Sequence, residues 1–234
     1  MGPISSISSH IMKGFTHTPL TIPLPEISAE TTDHGRFYTT PEGNVYPSVT
    51  TVLGTLSDKA IKGWRKRVGE DEAKRISEHA ANRGTDLHSV LESYLKNETL
   101  PFPTDPASKV RIMFNRMKRP LTAVNNIIAQ EIPLYSDVLQ MAGRCDLIAE
   151  YNGVLSVIDF KSTTKAKKQE WITGYFLQTT AYSLMLEERT GLKAEQLVIM
   201  MSGEDDCSSQ AFVDTRDKYR TKLTETIDLY NRAA

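Results

Sequence analysis

GRCDLIAEYNGVLSVIDFKS, residues 143–162, places two apolar, β-branched runs on either side of Asn152-Gly153. Asn-Gly between such runs is the strongest short-range signal of a two-residue β-hairpin, because both residues accept the positive φ that a type I′ turn requires. Counting outward from that turn pairs Tyr151 with Val154, Leu147 with Ile158, Asp146 with Asp159 and Cys145 with Phe160. Residues directly opposed on one face have Cβ atoms about 4.5–5.5 Å apart, so two carboxylates are expected to meet. Lys161, two residues beyond Asp159, points to the same face, and Leu147, Ile158, Cys145 and Phe160 form the apolar side. A register slip of one residue would undo the pairing.

Charges on an otherwise apolar ribbon are costly unless something neutralises them. Two close carboxylates repel, and one of them titrates high unless a cation lies between them. Hard oxygen donors of this kind suit Mg²⁺ or Mn²⁺, and a neighbouring lysine can orient a water or stabilise charge on a phosphorane-like transition state. That is the chemistry of metal-assisted phosphodiester hydrolysis. An Asp-x-Lys triplet alone carries little weight, since composition produces one by chance and a salt bridge at a strand end explains it equally well. The opposition of Asp146 to Asp159 is what favours a site.

Working outward, "AQEIPLYSDVLQM" before the hairpin reads as a further strand, giving three in succession. A helix over about 174–189 with Gly191 as its stop residue follows. "LVIMMSG" and "QAFVD" are short strands, and "RDKYRTKLTETIDLYNRA" is a closing amphipathic helix. Upstream, 58–96 is helical in pattern. Its clearest part is "TDLHSVLESYLK", with Thr85 as N-cap and Leu87, Val90, Leu91, Tyr94 and Leu95 on one stripe. "FYTTPEGNVYPSVTTVL" suggests a small hairpin, and "ASKVRIMFNRMKRPLTAV" starts another helix. The order predicts a mixed α/β fold. Residues 1–35 form an extended or flexible arm and 36–234 a single domain, with a helical part over about 56–128 and a catalytic core over about 129–234.

The 234 residues suffice for one sizeable core. Hydrophobic content of 39%, charged content of 24% and a net charge of −1 are ordinary for a globular protein and neither announce nor exclude a nucleic-acid partner. Two cysteines, Cys145 and Cys207, make no disulfide framework and fall short of the four thiolates of a cubane cluster. No apolar run reaches membrane-spanning length, and the first residues lack the pattern of a signal or transit peptide. The expectation is a cytoplasmic protein without a membrane partner, monomeric, of phage or bacterial setting.

Two further pairs stand out. His88 sits at the edge of its helix stripe with Glu92 one turn on; a lone histidine there is as a rule a packing residue, and Glu92 a solvated one. Gln178 and Tyr182 are i, i+4 neighbours, which reads equally as the polar flank of a core helix.

Taken together, Gly84-x-x-x-His88, Gly143-x-x-Asp146, Asp159-Phe160-Lys161 and Gln178-x-x-x-Tyr182, in this order, resemble the motifs of the RecB-like exonuclease branch of the PD-(D/E)xK superfamily. The nearest group is the mitochondrial genome maintenance exonucleases and their phage relatives. The similarity covers roughly residues 45–215. It implies a restriction-endonuclease-like core, a central mixed sheet flanked by helices, with an N-terminal helical region arching over the site. It implies His88, Asp146, Asp159 and the Phe160 carbonyl as ligands of Mg²⁺ or Mn²⁺, and Lys161, Asp159 and Asp146 as catalytic. Gln178, Tyr182 and Ser162 would hold substrate. Glu131 fits a weaker glutamate position, with a plain strand-end charge as the equal alternative. The nominal Pro-Asp is here Cys145-Asp146, and without four cysteines no iron–sulfur cluster is expected.

The implied activity is hydrolysis of single-stranded DNA from a free end. No glycine-rich nucleotide loop is present, so ATP is not expected to take part. "KGWRKR" interleaves Trp64 with Arg65 and other basic residues, as a surface for a single strand requires; basic clusters on helices are also commonly just solvated faces. The alternatives are a structure-specific endonuclease with the same site and a non-catalytic DNA-binding recombination accessory protein.

Overall fold

The computed structural model describes residues 14–206 and 208–233. The opening of the N-terminal arm and Cys207 lie outside the described residues. A small antiparallel sheet comes first, with β1 (Ser28–Thr32), β2 (Gly35–Thr39) and β3 (Val45–Pro47) in that order. The β2–β3 hairpin is the one expected from the Pro-Glu-Gly-Asn turn, with Gly43 at φ 87°. β1 differs from the expected arm: it lies within 1–35 yet is a strand. All five of its side chains are exposed, so no alternation marks it in the sequence.

Four helices follow, α1 (Val49–Gly54), α2 (Asp58–Val68), α3 (Glu70–Leu95) and α4 (Val110–Leu121). Ser48 caps α1, its hydroxyl accepting from the Thr51 N–H at 2.9 Å. Thr85 is not an N-cap, because α3 runs unbroken through Gly84. Glycine inside a helix costs only about 1 kcal/mol, which a helix of this length absorbs; a Cβ on Gly84 would make an ordinary contact at 3.6 Å with the Ser162 hydroxyl of β6 (Val154–Thr163). At 26 residues α3 is about 39 Å long. Its C-terminal half buries Leu87, Val90, Leu91 and Leu95, whereas Ala73 alone is buried before Arg83. None of α2 is buried. α2 and the first half of α3 therefore stand largely clear of the core, and His79 and Arg83 of α3 both pair with Glu204.

The second sheet contains β4 (Val124–Ser136), β5 (Met141–Tyr151), β6 (Val154–Thr163), β7 (Gln196–Gly203) and β8 (Ser209–Thr215), in sequence order. Only β6 and β7 are parallel, since α5 (Thr173–Thr190) carries the chain across. Gly191 at φ 76° ends α5, its N–H donating to the Glu187 carbonyl at 2.8 Å. α6 (Asp217–Ala233) closes the chain. One apolar cluster, including Val157, Ile199, Phe176, Leu177 and Leu223, fills the space between the sheet and α5 and α6. Another, including Leu147, Ile158, Leu91 and Phe114, packs the opposite face against α3 and α4. This is the mixed α/β, restriction-endonuclease-like arrangement of a central sheet between helical layers. Among the described residues no helix is long and apolar enough to cross a membrane.

Candidate active site

The site begins where the β5–β6 hairpin comes apart. The turn is as the sequence predicts, with Asn152 and Gly153 at φ 52° and 78° and Tyr151 opposite Val154. The ladder runs to Leu147 opposite Ile158 and stops there. Asp146 and Asp159 are therefore not a ladder pair, contrary to the count from the turn. Instead the Asp146 carboxylate Oδ2 accepts the Phe160 N–H at 2.8 Å, in place of a backbone carbonyl. The expected apolar face is split at the same point. Cys145 joins the cluster under α5, while Leu147, Ile158 and Phe160 join that under α3 and α4. The reason lies in β4. Glu131, between the pairs Gln130–Leu147 and Ile132–Cys145, sits in the left-handed region at φ 48° and interrupts the alternation.

This irregularity turns Glu131 and Asp146 toward α3, where His88 waits. His88 Nδ1 lies 3.7 Å from Asp146 Oδ2 and 4.0 Å from Glu131 Oε1. Its Nε2 is 2.8 Å from the Phe160 carbonyl; a carbonyl only accepts, so Nε2 donates this bond and Nδ1 is the ring nitrogen that faces the carboxylates. One ligand atom from each of His88, Glu131 and Asp146 lies within 4.8 Å of the others. Burial, with the Asp146 charge adding, pushes Glu131 up to about 7.

Asp159 adjoins this triad on β6 but faces Lys161. Lys161 Nζ donates to Asp159 Oδ1 at 2.8 Å and lies 2.7 Å from Oδ2, which is buried and has no hydrogen bond of its own. Burial raises Asp159 to about 6, Lys161 pulling it back and Asp146 adding to the rise. Burial alone would lower the lysine; the Asp159 and Asp146 charges outweigh it, and Lys161 sits above its ordinary value.

The donor set of His88, Glu131 and Asp146, two carboxylates and an imidazole nitrogen, fits a divalent cation. Three carboxylates and one ammonium leave the centre negative overall. Glu131, given only weak standing by the sequence, lies at its heart. The one sequence signal was a charge between the apolar runs "NIIAQ" and "IPL", and nothing there foretold its left-handed backbone.

Gln178 and Tyr182 are buried one helical turn apart on α5. Burial holds the Tyr182 phenol well above its ordinary pKa, so it stays neutral. A Cβ on Gly143 would fall 2.8 Å from the Tyr182 hydroxyl and 2.9 Å from its ring. The glycine of Gly143-x-x-Asp146 is thus the space into which Tyr182 packs. Gly143→Ala is expected to lower stability by about 1–3 kcal/mol, measured by urea unfolding. Combined with Tyr182→Ala it should add little beyond the tyrosine loss; fully additive losses would refute the contact.

Ser162 is half-buried next to Lys161. Glu92 pairs with Lys96 at 2.5 Å and adds to the rise of Glu131. Trp64 and Arg65 are on α2, half-buried and exposed respectively, and take no part in the polar contacts around His88 and Asp146 among the described residues. Sequence reasoning missed Tyr175, whose ring lies 5.1 Å from Lys161 Nζ; it is one helical turn before Gln178, and that spacing could have found it.

A family model described as the PD-(D/E)XK nuclease superfamily matches residues 104–230. His88 and the rest of α3 stand before that stretch. Mitochondrial genome maintenance exonuclease 1 of Homo sapiens is 32% identical over 133 residues, 53% of this chain and 38% of that protein. The Mus musculus protein of the same name is 29% identical over 133 residues, 53% and 39% of the two lengths. The matched stretch thus spans less than two fifths of either relative. With the match covering more than half of the chain, and the Asp159-x-Lys161 strand beside Asp146 in the matched part, this chain belongs to the PD-(D/E)XK nuclease superfamily.

Proposed function

We propose that the chain is a Mg²⁺- or Mn²⁺-dependent deoxyribonuclease that degrades single-stranded DNA from a free end, without ATP. The observation that carries this reading is the gathering of His88, Glu131 and Asp146 within ligand distance of one another, beside a buried Asp159–Lys161 pair. The family generally uses divalent metals; bound here, such an ion would polarise a phosphate oxygen and lower the pKa of a water. His88, Glu131 and Asp146 would hold the ion, with Asp159 and the Phe160 carbonyl beside them as further candidate ligands. The Lys161 ammonium, kept charged by its carboxylate neighbours, orients the attacking water and offsets charge that builds on the phosphate. Gln178 and Tyr182 fix the strand that carries Asp146, and Ser162 is within reach of the same phosphate.

The end preference is supported by two features. Both relatives are named exonucleases, and α2 with the first half of α3 stands clear of the core carrying Trp64, Arg65, Lys66 and Arg67. Digestion of matched linear and circular single-stranded DNA with Mg²⁺, with EDTA as control, tests this. Loss of the linear form alone is expected. Loss of both forms would make it an endonuclease, and loss of neither would leave a DNA-binding accessory protein.

A further inference from the structure

Beside the site runs a groove of about 610 Å³, bounded by the end of α1 and by the start of α5. Pockets of roughly 300–1,000 Å³ accommodate ligands of nucleotide size. Trp171 stands on its wall with 62% of its surface exposed, and Lys168 Nζ lies 5.3 Å from the indole ring. A large aromatic left in water on a cavity wall is an unusual use of the most apolar surface a chain can offer. Tyr175 and Gln178 also line the groove. Through Tyr175 it adjoins the active site, the Tyr175 ring lying 5.1 Å from Lys161 Nζ.

The charge of the surroundings favours an anion. No carboxylate lines the groove, and Lys222 does. The segment between Lys161 and Trp171 carries Lys165, Lys167 and Lys168. Four acids adjoin these lysines but none lines the groove: Glu170 and Glu225 pair at 3.9 and 3.5 Å with Lys168 and Lys222, Asp206 accepts the Ala166 N–H, and Asp214 accepts from the Gln169 amide at 2.9 Å. A groove with an exposed indole, flanking ammonium groups and a wall residue, Tyr175, that touches Lys161 on its other side meets the two needs of a single strand, stacking and a track for phosphates.

We propose that this groove is a nucleotide subsite, in which an unpaired base of the strand being cut stacks on Trp171 while its phosphates follow the Lys165–Lys168 segment toward Lys161. The subsite rests on the nuclease reading given above. Trp171 contacts substrate and positions it; it takes no part in the chemistry.

The test compares the parent chain, Trp171→Ala and Trp171→Phe. Each is titrated in EDTA with a labelled twelve-residue thymidine strand and with the same strand made fully abasic, alongside an unfolding midpoint. The parent should prefer the strand that bears bases. Trp171→Ala should lose about tenfold in affinity for that strand and little for the abasic one, with an unchanged midpoint, and Trp171→Phe should retain most of the preference. Equal losses on both strands, no loss on either, or a lowered midpoint would overturn the subsite. In the first two cases the parent still binds and, with Mg²⁺, cuts DNA, so the nuclease reading survives. A parent that neither binds nor cuts single-stranded DNA would sink both.

Discussion

Lys161→Ala is expected to lower the rate of DNA cleavage by about 100- to 1,000-fold, the usual cost of removing one charge-stabilising donor from an active site. The same substitution should destabilise the chain, because it leaves Asp159, only 1% exposed, without its cation. Removing one partner of a buried pair costs about 3–5 kcal/mol. That loss should depend on pH. In the variant Asp159 is raised further, so it stays protonated when folded and ionises when unfolded. The penalty is therefore small below the ordinary carboxylate pKa and grows as pH rises above it. Urea unfolding at pH 4 and 7.5 measures this. Adding Asp159→Asn should recover stability at pH 7.5 without recovering activity, which separates the two roles. A folded Lys161→Ala chain that cuts at the parent rate would remove the lysine from the mechanism.

The second large effect is on metal response. Without metal, Glu131 is held at about 7 against an ordinary value near 4.5. The folded chain thus binds more protons than the unfolded chain between those values, and stability falls as pH rises through that window. Asp159, at about 6, acts in the same direction. A divalent cation reverses the trend, since it must displace those protons to bind and binds best once they are gone. At pH 7.5, Mn²⁺ at about 100 times its dissociation constant adds about 2.7 kcal/mol, a rise in Tm of about 5–10 °C for a chain of this size. At pH 5.5 the rise should be far smaller. Asp146→Asn should abolish the Mn²⁺ response, while the amide oxygen still accepts the Phe160 N–H and keeps the strands in place. An equal shift in that variant, or a shift independent of pH, would show that the ion binds elsewhere.

Much of this architecture was legible from local rules. Asn152-Gly153 fixed the hairpin and its register as far as Leu147 and Ile158, because turn chemistry and alternation agree there. Gly191 marked the end of α5 in the same way, glycine being the residue that takes the left-handed conformation at least cost. The reading failed where tertiary geometry overrode the period. A carboxylate that accepts a backbone N–H ends the ladder at Asp146, and a left-handed glutamate on the neighbouring strand redirects the side chains; neither has a one-strand sequence signature. Thr85 was misread as a cap because a threonine just before an apolar stripe resembles a helix start, whereas α3 begins at Glu70 and its first turns carry no apolar stripe to reveal it. Glu131 looked like a strand-end charge for want of its cross-strand context. The groove beneath Trp171 joins segments more than a hundred residues apart, which no spacing rule reaches.

The bond from the Phe160 N–H to Asp146 has a consequence for how such a chain changes over generations. The carboxylate proposed to serve the chemistry also substitutes for a missing peptide group, so its loss would fray the sheet as well as silence the proposed site. A descendant released from any demand for activity would still be selected, through folding alone, to keep Asp or Asn at position 146. Lys161 has no such second duty once Asp159 has become neutral, and the two can decay together. In a relative of unknown competence, an intact lysine is therefore the better sign of a working enzyme, and an intact Asp146 counterpart testifies mainly that the protein still folds.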